Sequence, residues 1–277
     1  MRLKTRFSAA LLTAVLFAPC ASIASAQTAA APTDASGEQK ARDLLDKMVI
    51  ALGGDGWLNR RDWLLEGQVG YFFRGAPTGS VTVFWDFHRQ SGGPETEVER
   101  IEYTKKRDIV QMFTANSADE ITFRGKVALP EDVSQDYFRR RTHSIEVVLH
   151  DWLKLPGTMV VFEGTTMVQR RVADKVTVIS PTNDAITIEL DANSHLPLAR
   201  TFQYRNEKYK DFDIDREEYD GYHSVQGIQT AYTVTRFRNG DMVNQKFYTD
   251  VKYNQNLSPE LFDIQATIAA KQKVGKK

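Results

Sequence analysis

What most constrains this chain is a two-residue alternation of apolar and polar side chains that starts at Trp63 and recurs almost to the C-terminus. Trp63, Leu65, Val69, Tyr71 and Phe73 alternate with Leu64, Glu66, Gln68 and Gly70; Val81, Val83, Trp85 and Phe87 alternate with Thr82, Phe84, Asp86 and His88. Successive side chains of a strand point to opposite faces, so such runs read as half-buried antiparallel strands. Gly75 to Gly79 is the expected hairpin between the first two. Shorter strands are expected at 97–103, 108–114 and 120–124. Longer ones follow at 159–163, 172–180, 185–191, 199–205, 210–219, 228–237 and 242–253, with Asn239-Gly240 as a two-residue hairpin turn. A sheet with so many strands must curl or split. The expected fold is therefore mainly β (α+β): a strongly curved antiparallel sheet forming an incomplete barrel of about 11–12 strands, with helices as a lid.

Two segments change period. Ala41, Leu44, Leu45, Met48 and Leu52 fall at helical spacing behind Ser36, a candidate N-cap with Gln39 three residues on. Gly53-Gly54 should end that helix, and Trp57 and Leu58 should plug the end of the core. Residues 131–155 predict one amphipathic helix after Pro130, with Ile145, Val148, Leu149 and Trp152 facing a sheet and Arg139, Arg140 and Arg141 on the other face. Pro156-Gly157 stops it. Ser258-Pro259-Glu260-Leu261-Phe262 reads as a turn packing onto the sheet, and residues 266–277 read as a basic, frayed tail.

Residues 1–26 read as a secretory signal. Arg2, Lys4 and Arg6 precede the apolar run at 9–18, and Ala24-Ser25-Ala26 offers small residues for cleavage. The run is too short to span a bilayer comfortably. Residues 27–37 are a small, polar leader. Cys20 raises a lipidation reading that Pro19 fits poorly, since a small residue is expected before a lipidated cysteine. Cleavage after Ala26 leaves no cysteine, as Cys20 is the sole one. The expected location is periplasmic or otherwise exported.

Chemistry-bearing motifs are sparse. Lys+Arg and Asp+Glu stand at 36 each, which argues against nucleic acid as the main partner, because phosphate binding needs a basic surplus. His143 and His150 lie seven apart without the i, i+4 spacing of a zinc helix, and the five histidines are expected to be solvated or locally bonded. The run Asp211, Asp213, Asp215 fails the calcium-loop template, since Arg216 stands at the glycine position and Tyr222 at the bidentate glutamate. It is expected instead to form a solvated strand face opposite Phe212, Ile214 and Arg216. No nucleophile elbow or phosphate loop occurs. No metal, cofactor or catalysis is expected.

The remaining asset is aromatic. Trp63, Tyr71, Phe73, Trp85, Phe87, Phe113 and Trp152, with Val69, Val83 and Val148, sit on expected inward faces. A curled sheet of this size can leave an apolar cavity closed by a helix, and these ten residues are its expected ligand-binding lining.

Several local patterns resemble the outer-membrane lipoprotein-sorting, LolA/LolB-like family. They are a leading helix ending ALGG at 51–54, a helix between two strand blocks, LDANSHLP at 190–197, and the closing strands at 221–240 and 251–262. The likeness spans residues 38–262, and the domain it implies occupies 38–265. It implies a half-barrel with a helical lid over a hydrophobic cavity that carries or receives lipoprotein acyl chains, without catalysis or cofactor. The expected partners are lipid or lipoprotein acyl chains, and envelope proteins are a second class. An envelope assembly or sensor module is the alternative reading, and an exported hydrolase ranks behind both.

Overall fold

The computed structural model describes residues 35–90 and 97–274. The expected signal segment, Cys20, the expected leader up to residue 34 and residues 275–277 lie outside them. Thirteen strands form one antiparallel sheet in the order β6-β5-β4-β3-β2-β1-β13-β12-β11-β10-β9-β8-β7. In chain order these are β1 (Asp62–Phe73), β2 (Ala76–Arg89), β3 (Val98–Tyr103), β4 (Ile109–Phe113), β5 (Ala118–Thr122), β6 (Gly125–Ala128), β7 (Met159–Val168), β8 (Arg171–Ile179), β9 (Ala185–Asp191), β10 (Pro197–Asn206), β11 (Asp211–Val225), β12 (Ile228–Arg238) and β13 (Asp241–Tyr253). β6 and β7 do not pair, so the curved sheet stays open, as expected. Near-neighbour pairing makes it a meander broken once, where β1 pairs with β13.

Bending is built in by register shifts at Glu66/Gly67, Gly70/Phe72, Arg236/Phe237, Pro197/Ala199 and Phe162/Thr165. An extra residue in one strand kinks it and raises its twist. The first hairpin is tighter than expected. Arg74 and Gly75 form its turn with positive φ, and Pro77 already pairs with Phe72. The Asn239-Gly240 turn forms where expected, with both residues at positive φ as such turns require.

Helix α1 (Ala35–Leu52) buries the stripe Ala41, Leu44, Leu45, Met48 and Leu52 against β7, β8 and β12. Gly53 ends it at φ 129, and a one-turn helix α2 (Asp55–Leu58) buries Trp57. The expected single helix over 131–155 is three pieces: α3 (Glu131–Thr142), α4 (Ile145–His150) and a 3-10 turn (Trp152–Lys154). The break falls at Ser144, whose extended backbone and side chain cap α4 by accepting from the Val147 N–H at 3.2 Å. Val148 and Trp152 then pack with α1, Ile186, Ile188 and Leu190 in a filled core.

The C-terminus is ordered further than expected. A 3-10 turn (Pro259–Phe262) capped by Ser258 leads into α5 (Ile264–Val274), so the segment read as a tail is helical up to Val274. Ile264 and Ile268 cover Val110, Met112 and Ile121 on the convex side. The β3–β5 part of the sheet is thus buried on both faces. Among the described residues no helix is long and apolar enough to cross a membrane, which says nothing about spanning by strands.

Candidate functional site

A cavity of about 490 Å³ lies on the concave side, between β1–β4, β10–β13 and the helices α3 and α4. It is inside the size range of small-molecule sites. Its walls divide by strand. β1 contributes Trp63, Leu65, Val69 and Tyr71; β2 contributes Phe84, Asp86 and His88; β3 contributes Glu99, Ile101 and Tyr103. From the opposite wall come Arg200, Glu217, Tyr219, Val234, Arg236, Lys246 and Tyr248, with Asp136, Tyr137, Arg140 and Arg141 on α3 above. A side chamber of about 170 Å³ shares Trp63, Leu65, Glu146, Tyr219, Val234 and Tyr248 and runs on to Leu52, Trp57, Ile145, Tyr222 and Tyr253. A more open depression of about 680 Å³ is rimmed by Arg61, Arg89, His150 and Lys154.

Of the ten expected lining residues, Trp63, Val69, Tyr71 and Phe113 line the cavity. Val83, Trp85 and Phe87 do not: alternation puts them on the face of β2 opposite Phe84, Asp86 and His88. Trp85 lies under the Arg107 guanidinium at 4.0 Å, and Phe87 pairs with Arg100, which donates to the Leu261 carbonyl. Phe73 is exposed at the hairpin tip, and Val148 and Trp152 belong to the filled core. The expected face of β2 was therefore the wrong one. The acidic strand is also reversed. Asp215 is 1% exposed and Glu217 lines the cavity, while Phe212 and Ile214 are exposed.

Two ionic groups organise the walls. In the first, His88 stacks on Trp63 with ring centroids 4.6 Å apart, its Nε2 3.0 Å from Glu99 and its Nδ1 3.2 Å from Glu97. Glu99 accepts a short hydrogen bond from the Tyr137 hydroxyl, and Tyr137 stacks on Phe113 at 3.7 Å. Burial would lower the His88 pKa, but Glu99, Glu97 and Asp86 raise it well above the usual histidine range. Burial first, then the neighbouring Glu99 charge, raises Asp86, while His88 and Lys246 pull the other way. For Glu99 burial acts upward, but His88, Lys246 and Tyr137 bring its pKa down.

The second group holds the lid. Arg236 donates to Asp215 at 2.5 and 3.0 Å and to Asp136 on α3 at 2.8 Å, and Arg238 donates to Asp136 as well. Arg200 pairs with Glu217 at 2.9–3.0 Å and donates to the carbonyls of Arg140 (3.0 Å) and His143 at the end of α3. A cation there satisfies carbonyls that the helix leaves unpaired. Arg140 and Arg141, expected on the solvent side, thus line the cavity. His143 is buried as expected for a locally bonded histidine, bonded to Arg139 O and Asp184 and stacked on Phe202. Sequence reasoning missed Asp86, His88, Glu99 and the arginines because none stands in a motif. Their only signal was an alternation that could be read in either phase.

No family model matches the sequence, and no curated relative does. Solved structures do resemble it. A DUF1329 family protein from Desulfovibrio piger superposes with a TM-score of 0.56 at 12% identity, over 83% of this chain and 99% of that one. A structure described as an outer-membrane lipoprotein-sorting protein domain, from Vibrio parahaemolyticus, gives 0.53 at 11%, over 84% and 98%. A LolA superfamily protein from Nitrosomonas europaea gives 0.49 at 10%, over 80% and 97%. The resemblance expected from the sequence is thus present at the level of the fold, which this chain shares with the DUF1329 structure and the lipoprotein-sorting domain structure.

Proposed function

We propose that this protein is an exported, non-catalytic binding or carrier protein of the periplasm. It takes an amphiphilic ligand, a lipid or the acyl part of a lipoprotein, into the concave cavity. The observation that carries this reading is a pair of adjoining chambers that share six lining residues. The side chamber, with Trp57, Trp63, Leu65, Tyr222 and Tyr253, offers more apolar wall for a chain, though Arg60 and Glu146 also line it, while the main cavity adds charged walls for a headgroup. Apolar burial supplies the affinity at about 25 cal/mol per Å², and a few placed polar groups fix orientation. The fold shared with a lipoprotein-sorting domain supports the same class of cargo.

The test is displacement of a fluorescent fatty-acid analogue, backed by native mass spectrometry of protein purified from an exporting host. Gln111 lines the cavity and is only partly buried, so Gln111→Trp fills space without emptying the core. It should weaken probe binding at least tenfold, whereas Trp85→Ala, on the other face, should leave it within about twofold. Absence of probe binding by the unaltered protein, or equal binding by both variants, overturns the reading.

A further inference from the structure

Asp86 is 3% exposed, lines the cavity, and its Oδ1 accepts no hydrogen bond. A buried carboxylate oxygen without a donor is costly, and native proteins rarely keep one without a use. Among its neighbours Glu99 makes the cost larger, while His88 and Lys246 reduce it. Glu99, a second buried carboxylate, presses a like charge on it, and His88 stands two residues along the same strand face. One ligand atom from each of Asp86, His88 and Glu99 lies within 4.8 Å of the other two. Around a tetrahedral zinc ion, with bonds of about 2.0–2.2 Å, ligand atoms stand about 3.4 Å apart, so the side chains must rotate inward to close the set.

We propose that Asp86, His88 and Glu99 form a site for a divalent transition-metal cation of the zinc class, opening on the cavity. One imidazole and two carboxylates are a donor set for such ions, and the double negative charge is what a dication neutralises. The surroundings supply the supporting bonds that metal ligands use. Tyr137 donates to Glu99, and the Trp63 ring holds the imidazole plane. His88 lies between Glu97 and Glu99, 3.2 and 3.0 Å from them. The proposal does not depend on an amphiphile occupying the rest of the cavity.

The experiment titrates tag-free, chelator-stripped protein with ZnCl2 by calorimetry, with MgCl2 as the hard-cation comparison, alongside thermal unfolding with and without zinc. One zinc per chain should bind, magnesium at least a hundredfold more weakly. Asp86→Asn and His88→Ala should each weaken zinc at least tenfold and abolish the zinc-dependent rise in melting temperature. His223→Ala, at an exposed histidine, should change nothing. Asp86→Asn removes a buried carboxylate that faces a second one, so its zinc-free melting temperature should equal or exceed that of the parent, which reports an intact fold. No saturable zinc binding, or binding that survives both Asp86→Asn and His88→Ala, overturns the proposal.

Discussion

Arg236 on β12 and Asp136 on α3 are joined at 2.8 Å across the cavity, and the same guanidinium holds Asp215 of β11 at 2.5 Å. One side chain therefore ties the lid to two strands of the floor. Burial works against the Asp136 charge, but Arg140, Arg236 and Arg238 overcome it and lower its pKa. Asp136→Ala should leave Arg236 and Arg238 short of a partner and cost about 3 kcal/mol, the scale of a broken, mostly buried ion pair. Hydrogen exchange should accelerate in residues 131–142 with little change in β7–β9. Uniform acceleration throughout the protein would show that α3 is not held locally.

Glu217 sets an acid limit. Burial would raise its pKa, yet Arg200, Arg140 and Arg236 hold it at about 2. A carboxylate depressed below its unfolded value of about 4.3 adds stability above that pH and loses it as pH falls toward the folded value. Unfolding free energy should therefore drop by on the order of 3 kcal/mol between about pH 4.5 and 2. In Glu217→Gln denaturant midpoints should be lower at pH 7 and flatter across this window. An unchanged slope would place the acid sensitivity elsewhere.

Gly67 sits at the β1–β13 register shift, where an added Cβ would stand 2.2 Å from the Phe247 carbonyl oxygen. Gly67→Ala must push β13 away and should cost about 1–3 kcal/mol, by overpacking. Gly70, three residues along the same strand, has nothing within 4 Å of such a Cβ. Gly70→Ala should shift the thermal midpoint very little, so equal effects at both sites would contradict the close approach.

Ser144 separates α3 from α4 by capping the second. Ser144→Ala should cost about 1 kcal/mol. Ser144→Asp, which keeps a cap acceptor, should restore most of it in the same thermal melt.

Some features were legible in residues alone because local forces decide them. The α1 stripe is read from helical spacing, and all five of its residues are buried. Asn239-Gly240 is read from backbone sterics, since few residues accept positive φ so readily. The strand series is read from alternation, although β6, four residues long, was too short to register.

The phase of the alternation was another matter. In β2, Val83, Trp85 and Phe87 are as apolar as a core face, yet Phe84, Asp86 and His88 are the ones that meet the cavity. Over β3–β5 the convex face is covered by α5 and the preceding turn, so apolar residues occur on both faces and the pattern loses its sign. In β11 the misleading partner was charge: Asp215 and Glu217 turn inward because Arg236 and Arg200, on the strands that flank it, are there to meet them. Sequence by itself determined that this chain folds as a long, curled antiparallel sheet with a leading amphipathic helix, because periodicity and turn sterics act between near neighbours. Which face became the cavity, and that its walls carry paired charges, only the tertiary structure decided, because a buried charge is tolerable only where the fold brings it a partner.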